Sequence, residues 1–186
     1  MLRPGLALVA AALVAAGCGG SPPASPGAEE ETFGAQDLTP IEREAFVYGA
    51  IIKHMTSEEG QSSGFNVIYV LDRAVEGAGD PDAEVDSGTL ISPQVQIRIQ
   101  EELALLPPIR FVQQRDEVIG TPEEGTAVRN GGILITLGPV PPGDDRVQVE
   151  ASGYLAGKAA TWQTWVLERR GLRWEVTGTT GPVATA

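Results

Sequence analysis

The sequence predicts an α+β domain: two helices packed on a curved, mainly antiparallel sheet of about five to six strands. Three observations lead there. Apolar residues recur at helical spacing over residues 40–57 and again over 93–106. From Ile109 onward the chain breaks into short runs of β-branched and aromatic residues separated by turn chemistry. Residues 65–71, between the two helices, are apolar on both parities, as in a strand buried on both sides.

Ahead of the domain stands an export leader. Arg3 gives the N-terminus one positive charge, and residues 6–16 are an uninterrupted run of Leu, Ala and Val, together the n-region and h-region of a secretory signal. A bilayer-spanning helix needs about 20 apolar residues, so this run is too short to cross. Ala15-Ala16-Gly17-Cys18 resembles the lipobox of bacterial lipoproteins, in which small side chains fit the peptidase subsites and the thiol accepts a diacylglycerol before cleavage. Ala15 departs from the family pattern, which more often has Leu. The resemblance implies a signal peptide over residues 1–17, lipidation of Cys18, and a mature protein held at the extracytoplasmic face of the cell membrane. Two or three acyl chains anchor stably where one does not. The alternative is an ordinary secreted protein cut after Ala12 or Ala16.

Cys18 is the sole cysteine, so the domain has no internal disulfide and no thiolate metal cage. Residues 18–37 are rich in Gly, Ser, Pro and Glu and nearly devoid of large apolar groups, which predicts a disordered spacer. Residues 38–186 then form one domain. Acidic residues number 25 against 13 basic, a formal charge of −12, and loss of Arg3 with the leader makes it one unit more negative. Such a surface repels nucleic acid and anionic headgroups, so no nucleic-acid partner is expected and the acidity reads as solubility.

The first helix announces its start. Thr39 is the N-cap, Pro40 suits the first helical position, and Glu42 closes a capping box. Ile41, Ala45, Tyr48, Ile52 and Met55 follow at helical spacing, widened by Phe46 and Ile51, and the helix should end near Ser57. After the strand at 65–71 comes an acidic loop, 77–88. Ser92-Pro93 opens the second helix, with Val95, Ile99, Leu103 and Leu106 as its stripe and Pro107-Pro108 as its stop. Strands are expected at 109–114, 132–137, 146–154, 161–169 and 172–178, with turns at Asn130-Gly131 and 141–144. The last two form a hairpin. A turn at Gly171-Leu172 suits type II′, and one at Arg170-Gly171 sets Glu168 opposite Arg173. Either register puts Trp165, Leu167, Trp174 and Val176 on one apolar face for the helices to cover.

Residues 165–170 (WVLERR) and 173–183 (RWEVTGTTGPV) resemble the C-terminus of a family of uncharacterised, mostly actinobacterial, exported lipoproteins. A weaker similarity at 130–138 and 67–72 carries the resemblance over most of the domain. It implies export and brings no activity, cofactor or catalytic residue. Relatives are expected to carry a cysteine near 155–160 and an Asp-Gly turn; here 155–160 has no cysteine and Gly171-Leu172 replaces the turn. The order helix, strand, helix, antiparallel meander is also similar to the NTF2-like and cystatin-like folds, which host binding modules and enzymes alike.

Candidate sites are few. Residues 80–86 alternate acids as a calcium loop does, but Val85 stands where such a loop needs Gly and Ile91 where it needs Glu, so no metal is expected. His54, near the end of the first helix with Glu58 and Glu59 close in sequence, reads as a surface or capping residue. No G-x-S-x-G, H-E-x-x-H or P-loop pattern is present, so no catalytic set and no cofactor is expected. Tyr69, Tyr154 and Trp162 could offer aromatic surface to a ligand, although packing explains them better. Trp162 has the opposite parity to Trp165 and faces outward or toward the concave side of the sheet. The expected role is a membrane-anchored, non-enzymatic binding module for a small apolar ligand or an envelope protein. The alternative is a hydrolase-type enzyme using a carboxylate pair drawn from Glu and Asp residues such as Glu150 or Glu168.

Overall fold

The structure, a computed structural model, describes residues 38–57, 64–85, 87–121, 125–143, 145–157 and 159–185. The leader, Cys18, the spacer, Glu58, Glu59 and Asp86 lie outside the described residues.

Helix α1 (Pro40–Ser57) begins as its residues dictate. The Thr39 N–H donates to Glu42 Oε2 at 3.0 Å and the Glu42 N–H donates to Thr39 Oγ1 at 3.2 Å, the reciprocal capping box. Strand β1 (Ile68–Ala74), the two-residue β2 (Thr89–Leu90) and helix α2 (Pro93–Glu102) follow. Ser92 caps α2 by accepting the Val95 N–H at 3.3 Å. Then come β3 (Ile109–Val112), β4 (Ile133–Leu137), β5 (Arg146–Ala156), β6 (Ala159–Arg170) and β7 (Arg173–Thr185). The domain is α+β: both helices pack with a mostly antiparallel, open sheet that has seven strands among the described residues.

The strand order is β2-β1-β4-β5-β6-β7, with β3 beside β1. β3, β1 and β4 run parallel, and β4 to β7 alternate antiparallel. The expected meander from Ile109 therefore begins only at β4. β1 is the cause: nearly all of it is buried, so it needs a neighbour on each edge, and α2 carries the chain back to start β3 at the same end. β1 itself lies three residues later than the apolar run suggests. Asp72 and Arg73 remain in the strand because Arg73 pairs with Leu90 of β2, and the two charges meet each other at 3.1 Å.

The main core lies between the helices and one face of the sheet. Ala45, Tyr48, Ile51 and Ile52 of α1 and Val95 and Ile99 of α2 cover Ile68 and Val70, Ile133 to Leu137 on alternate positions, Val147, Val149, Trp165, Leu167 and Trp174. Ile41, expected in the stripe, is 42% exposed, because it sits on the first turn beyond the sheet's cover. A second cluster of Val67, Tyr69, Leu71 and Leu134 lies on the opposite face under Val118 and Val128 of the 115–131 segment.

The final hairpin takes the Gly171-Leu172 turn. Arg170 pairs with Arg173, and Gly171 has φ 66°, the positive value that the first turn position of type II′ requires. Leu167 stands opposite Val176, and Trp165 and Trp174 are buried on the same face, as the alternation demands. β7 runs seven residues past the expected end at 178, because β6 reaches back to Ala159 and supplies a partner. Gly181 and Pro182, which read as a stop, are absorbed in a bulge: Thr180 pairs with Thr164 and Ala184 with Trp162, leaving 181–183 opposite a single residue.

Candidate functional site

The apolar face of β5 tapers. Val147, Val149, Ala151 and Gly153 succeed one another on alternate positions, each no larger than the last. Opposite them on β6 stand Leu167, Trp165, Gln163 and Thr161, a row that turns polar in the same direction. At the Val147 end the gap between helix and sheet is filled by large side chains. At the Gly153 end it opens into a cavity of about 230 Å³.

Met55, in the last turn of α1, covers this cavity, and Ile133, Leu155, Ala160 and Trp165 form its apolar walls. Gly153 lets the Met55 methyl approach the sheet closely, which explains a glycine in the middle of a strand. Polarity enters from one side. Among the described residues the buried polar side chains are Thr136 and Gln163, and of these Gln163 lines the cavity. The indole Nε1 of Trp165 is buried and has no hydrogen-bond partner among the described residues. An indole N–H can only donate, whereas the Gln163 amide that lines the cavity can both donate and accept.

A second hollow of about 440 Å³ adjoins the first and shares Thr161, Gln163 and Trp165 with it. Its far wall is His54 and residues 176–179 of β7. The His54 ring stands edge-on to Trp165, centroids 4.9 Å apart at 73°. His54, expected as a surface or capping residue, is half-buried against the core tryptophan, because its position in the last turn of α1 faces β6.

The other sequence candidates do not assemble. Glu150 and Glu168 lie on the same face of the β5-β6 ladder, but Glu150 is level with Thr164 and Glu168 with Arg146. Four residues of strand separate them by about 13 Å, and Glu168 instead lies 3.9 Å from Arg146. Asp80 accepts the Asp82 N–H at 2.9 Å in a local turn, and among the described residues no three His, Cys, Asp or Glu converge on a common point. Tyr69 is buried and its hydroxyl accepts from the Asn130 amide at 2.8 Å. Tyr154 donates to the Thr126 carbonyl at 2.6 Å, with Arg115 over its ring at 5.5 Å. Both aromatics hold the 115–131 segment on the sheet. Trp162 is half-buried on the face opposite Trp165, turned away from the cavity.

One strong perturbation lies in the middle of α1. The buried Tyr48 hydroxyl donates to the Gly138 carbonyl at 3.1 Å. Burial, and then the neighbouring Glu44 carboxylate, push its pKa well above the usual phenol value. Burial likewise raises the pKa of Glu44.

Reading along the sequence missed Gly153, Gln163 and Met55 as a group. The signal was present in the fall of side-chain size along alternate positions of one strand, which becomes informative once the strand's inner face is known. No family model matches this chain, and no curated protein and no solved structure is similar to it.

Proposed function

We propose that this protein is a lipoprotein, anchored through Cys18 at the extracytoplasmic face of the cell membrane, whose domain binds a small, mainly apolar ligand and catalyses nothing. The lipobox-like Ala15-Ala16-Gly17-Cys18 after an apolar leader supports the anchor. The observation that carries the binding role is the cavity of about 230 Å³ between α1 and the sheet, walled by Met55, Ile133, Leu155 and Trp165 with Gln163 at its side. A cavity of about 150 Å³ holds benzene, so this one suits a single ring with short substituents. The Gln163 amide at its side favours a ligand that carries one hydrogen-bonding group.

The test is an NMR titration of the mature chain carrying Cys18→Ser, which needs no detergent, with p-cresol as probe. Saturable shifts at the Gly153, Thr161 and Gln163 amides, absent in Gly153→Val, are expected. No saturable shift, or the same shifts in the filled variant, would overturn the reading.

A further inference from the structure

The inner cavity of about 230 Å³ is small for a ligand site, since such sites usually measure about 300–1,000 Å³. The adjoining hollow of about 440 Å³ brings the pair within that range. Thr161, Gln163 and Trp165 belong to both walls, so a ligand that outgrows the inner cavity meets these three side chains as it enters the outer one.

Gln163 stands at this junction. It is only 9% exposed, and its side chain makes no hydrogen bond with the described residues. Unlike the Trp165 indole N–H, its amide is not sealed from contact. An amide both donates and accepts, so its partners are supplied by what occupies the hollows.

The far wall of the outer hollow is set by a bulge in β7. Leu167 pairs with Val176 and Val166 with Gly178, which leaves Thr177 with no residue opposite and reverses the alternation of the strand. Thr179 therefore lies opposite Trp165 and on its side of the sheet. The outer lining becomes a set of hydroxyls and one amide, from Thr161, Gln163, Thr177 and Thr179, with His54 across from them. Among the described residues neither hollow is lined by Asp, Glu, Lys or Arg. Hydroxyls and amides donate and accept alike, so this lining matches ligand hydroxyls, which do the same. A charged ligand group would find no carboxylate, ammonium or guanidinium there to offset its loss of water.

We infer that the ligand is a neutral ring-bearing polyol of the aryl glycoside type. Its ring fills the inner cavity, its linking oxygen passes Gln163, and its hydroxylated part lies in the outer hollow against Thr177, Thr179 and His54. The inference rests on the reading that the inner cavity takes a ring.

The experiment extends the NMR titration of the mature Cys18→Ser chain to p-tolyl glucoside and p-tolyl sulfate beside p-cresol. The glucoside should bind about tenfold more tightly than p-cresol, the ratio that roughly two added hydrogen bonds supply. It should shift the Thr177 and Thr179 amides together with those of Gly153 and Gln163. The sulfate, with a charge in place of hydroxyls, should bind no more tightly than p-cresol. Thr179→Leu, at an exposed strand position, should return the glucoside to the affinity of p-cresol and leave p-cresol within about twofold. A glucoside no tighter than p-cresol, a sulfate tighter than the glucoside, or a glucoside indifferent to Thr179→Leu would each overturn the inference while p-cresol binding upheld the ring cavity. Absence of p-cresol shifts at Gly153 would instead remove the ring cavity, and this extension with it.

Discussion

A Cβ placed on Gly153 would stand 2.8 Å from the Met55 methyl, closer than side chains tolerate. The missing side chain at residue 153 leaves room for the Met55 methyl, the far end of a flexible side chain. Gly153→Val must push Met55 aside and fill the cavity. Because that methyl ends a flexible side chain, the shift should cost less than about 1 kcal/mol by urea denaturation. A loss of about 3 kcal/mol or more would mean that Met55 is held rigidly against the strand.

Trp174 is buried on the hairpin face beneath Arg43, whose guanidinium lies 5.7 Å from the ring centre. Trp174→Ala should cost about 3–5 kcal/mol in the same measurement. A loss below 1 kcal/mol, as expected of surface sites, would contradict the burial.

These two positions show what was legible beforehand. Trp174 was readable because it alternates with charged neighbours, and a period of two in a hairpin assigns faces before any partner is known. Gly153 was not, because a glycine in a strand has no face of its own until Met55, a hundred residues earlier, is laid across it. The same holds for β1, whose neighbours β3 and β4 come from distant segments, and for β7, where Gly181 and Pro182 signal a stop that only the length of β6 overrides. Local chemistry located both helices and the caps at Thr39 and Ser92. Pairing between distant strands, and the hollows it leaves, required the fold.

The pair Glu44 and Tyr48 should shape the pH dependence of stability. The folded-state pKa of Tyr48 lies above its unfolded value of about 10, so its stabilising contribution is complete below that pH and is lost as pH rises past it. Urea midpoints of the wild type should fall between pH 9 and 11 more steeply than those of Tyr48→Phe. Glu44, also raised, destabilises once ionised, so its effect appears as pH rises through and beyond the ordinary carboxylate range. Glu44→Gln should accordingly be more stable than the wild type at pH 7; equal or lower stability would refute the assignment.

Thr39 and Glu42 satisfy each other's backbone donors at the start of α1. Thr39→Ala should cost about 1 kcal/mol, measurable as a lower melting temperature with unchanged helical content at 20 °C.

Replacing the thiol of Cys18 tests the anchor without touching the domain. Cys18→Ser should move the protein from the membrane fraction to the soluble fraction on cell fractionation, with the domain's circular dichroism unaltered. Unchanged partitioning would mean that something other than acyl chains holds it.

β7 closes one side of the sheet with thirteen residues of strand whose outer edge pairs with no other strand among the described residues. Such a rim invites a foreign strand to continue the ladder. The bulge at 181–183 interrupts it, and Pro182 has no N–H to offer, so an added strand that starts at Arg173 must halt at Thr180. Two copies that met along β7 are thereby denied a full-length zipper between their sheets.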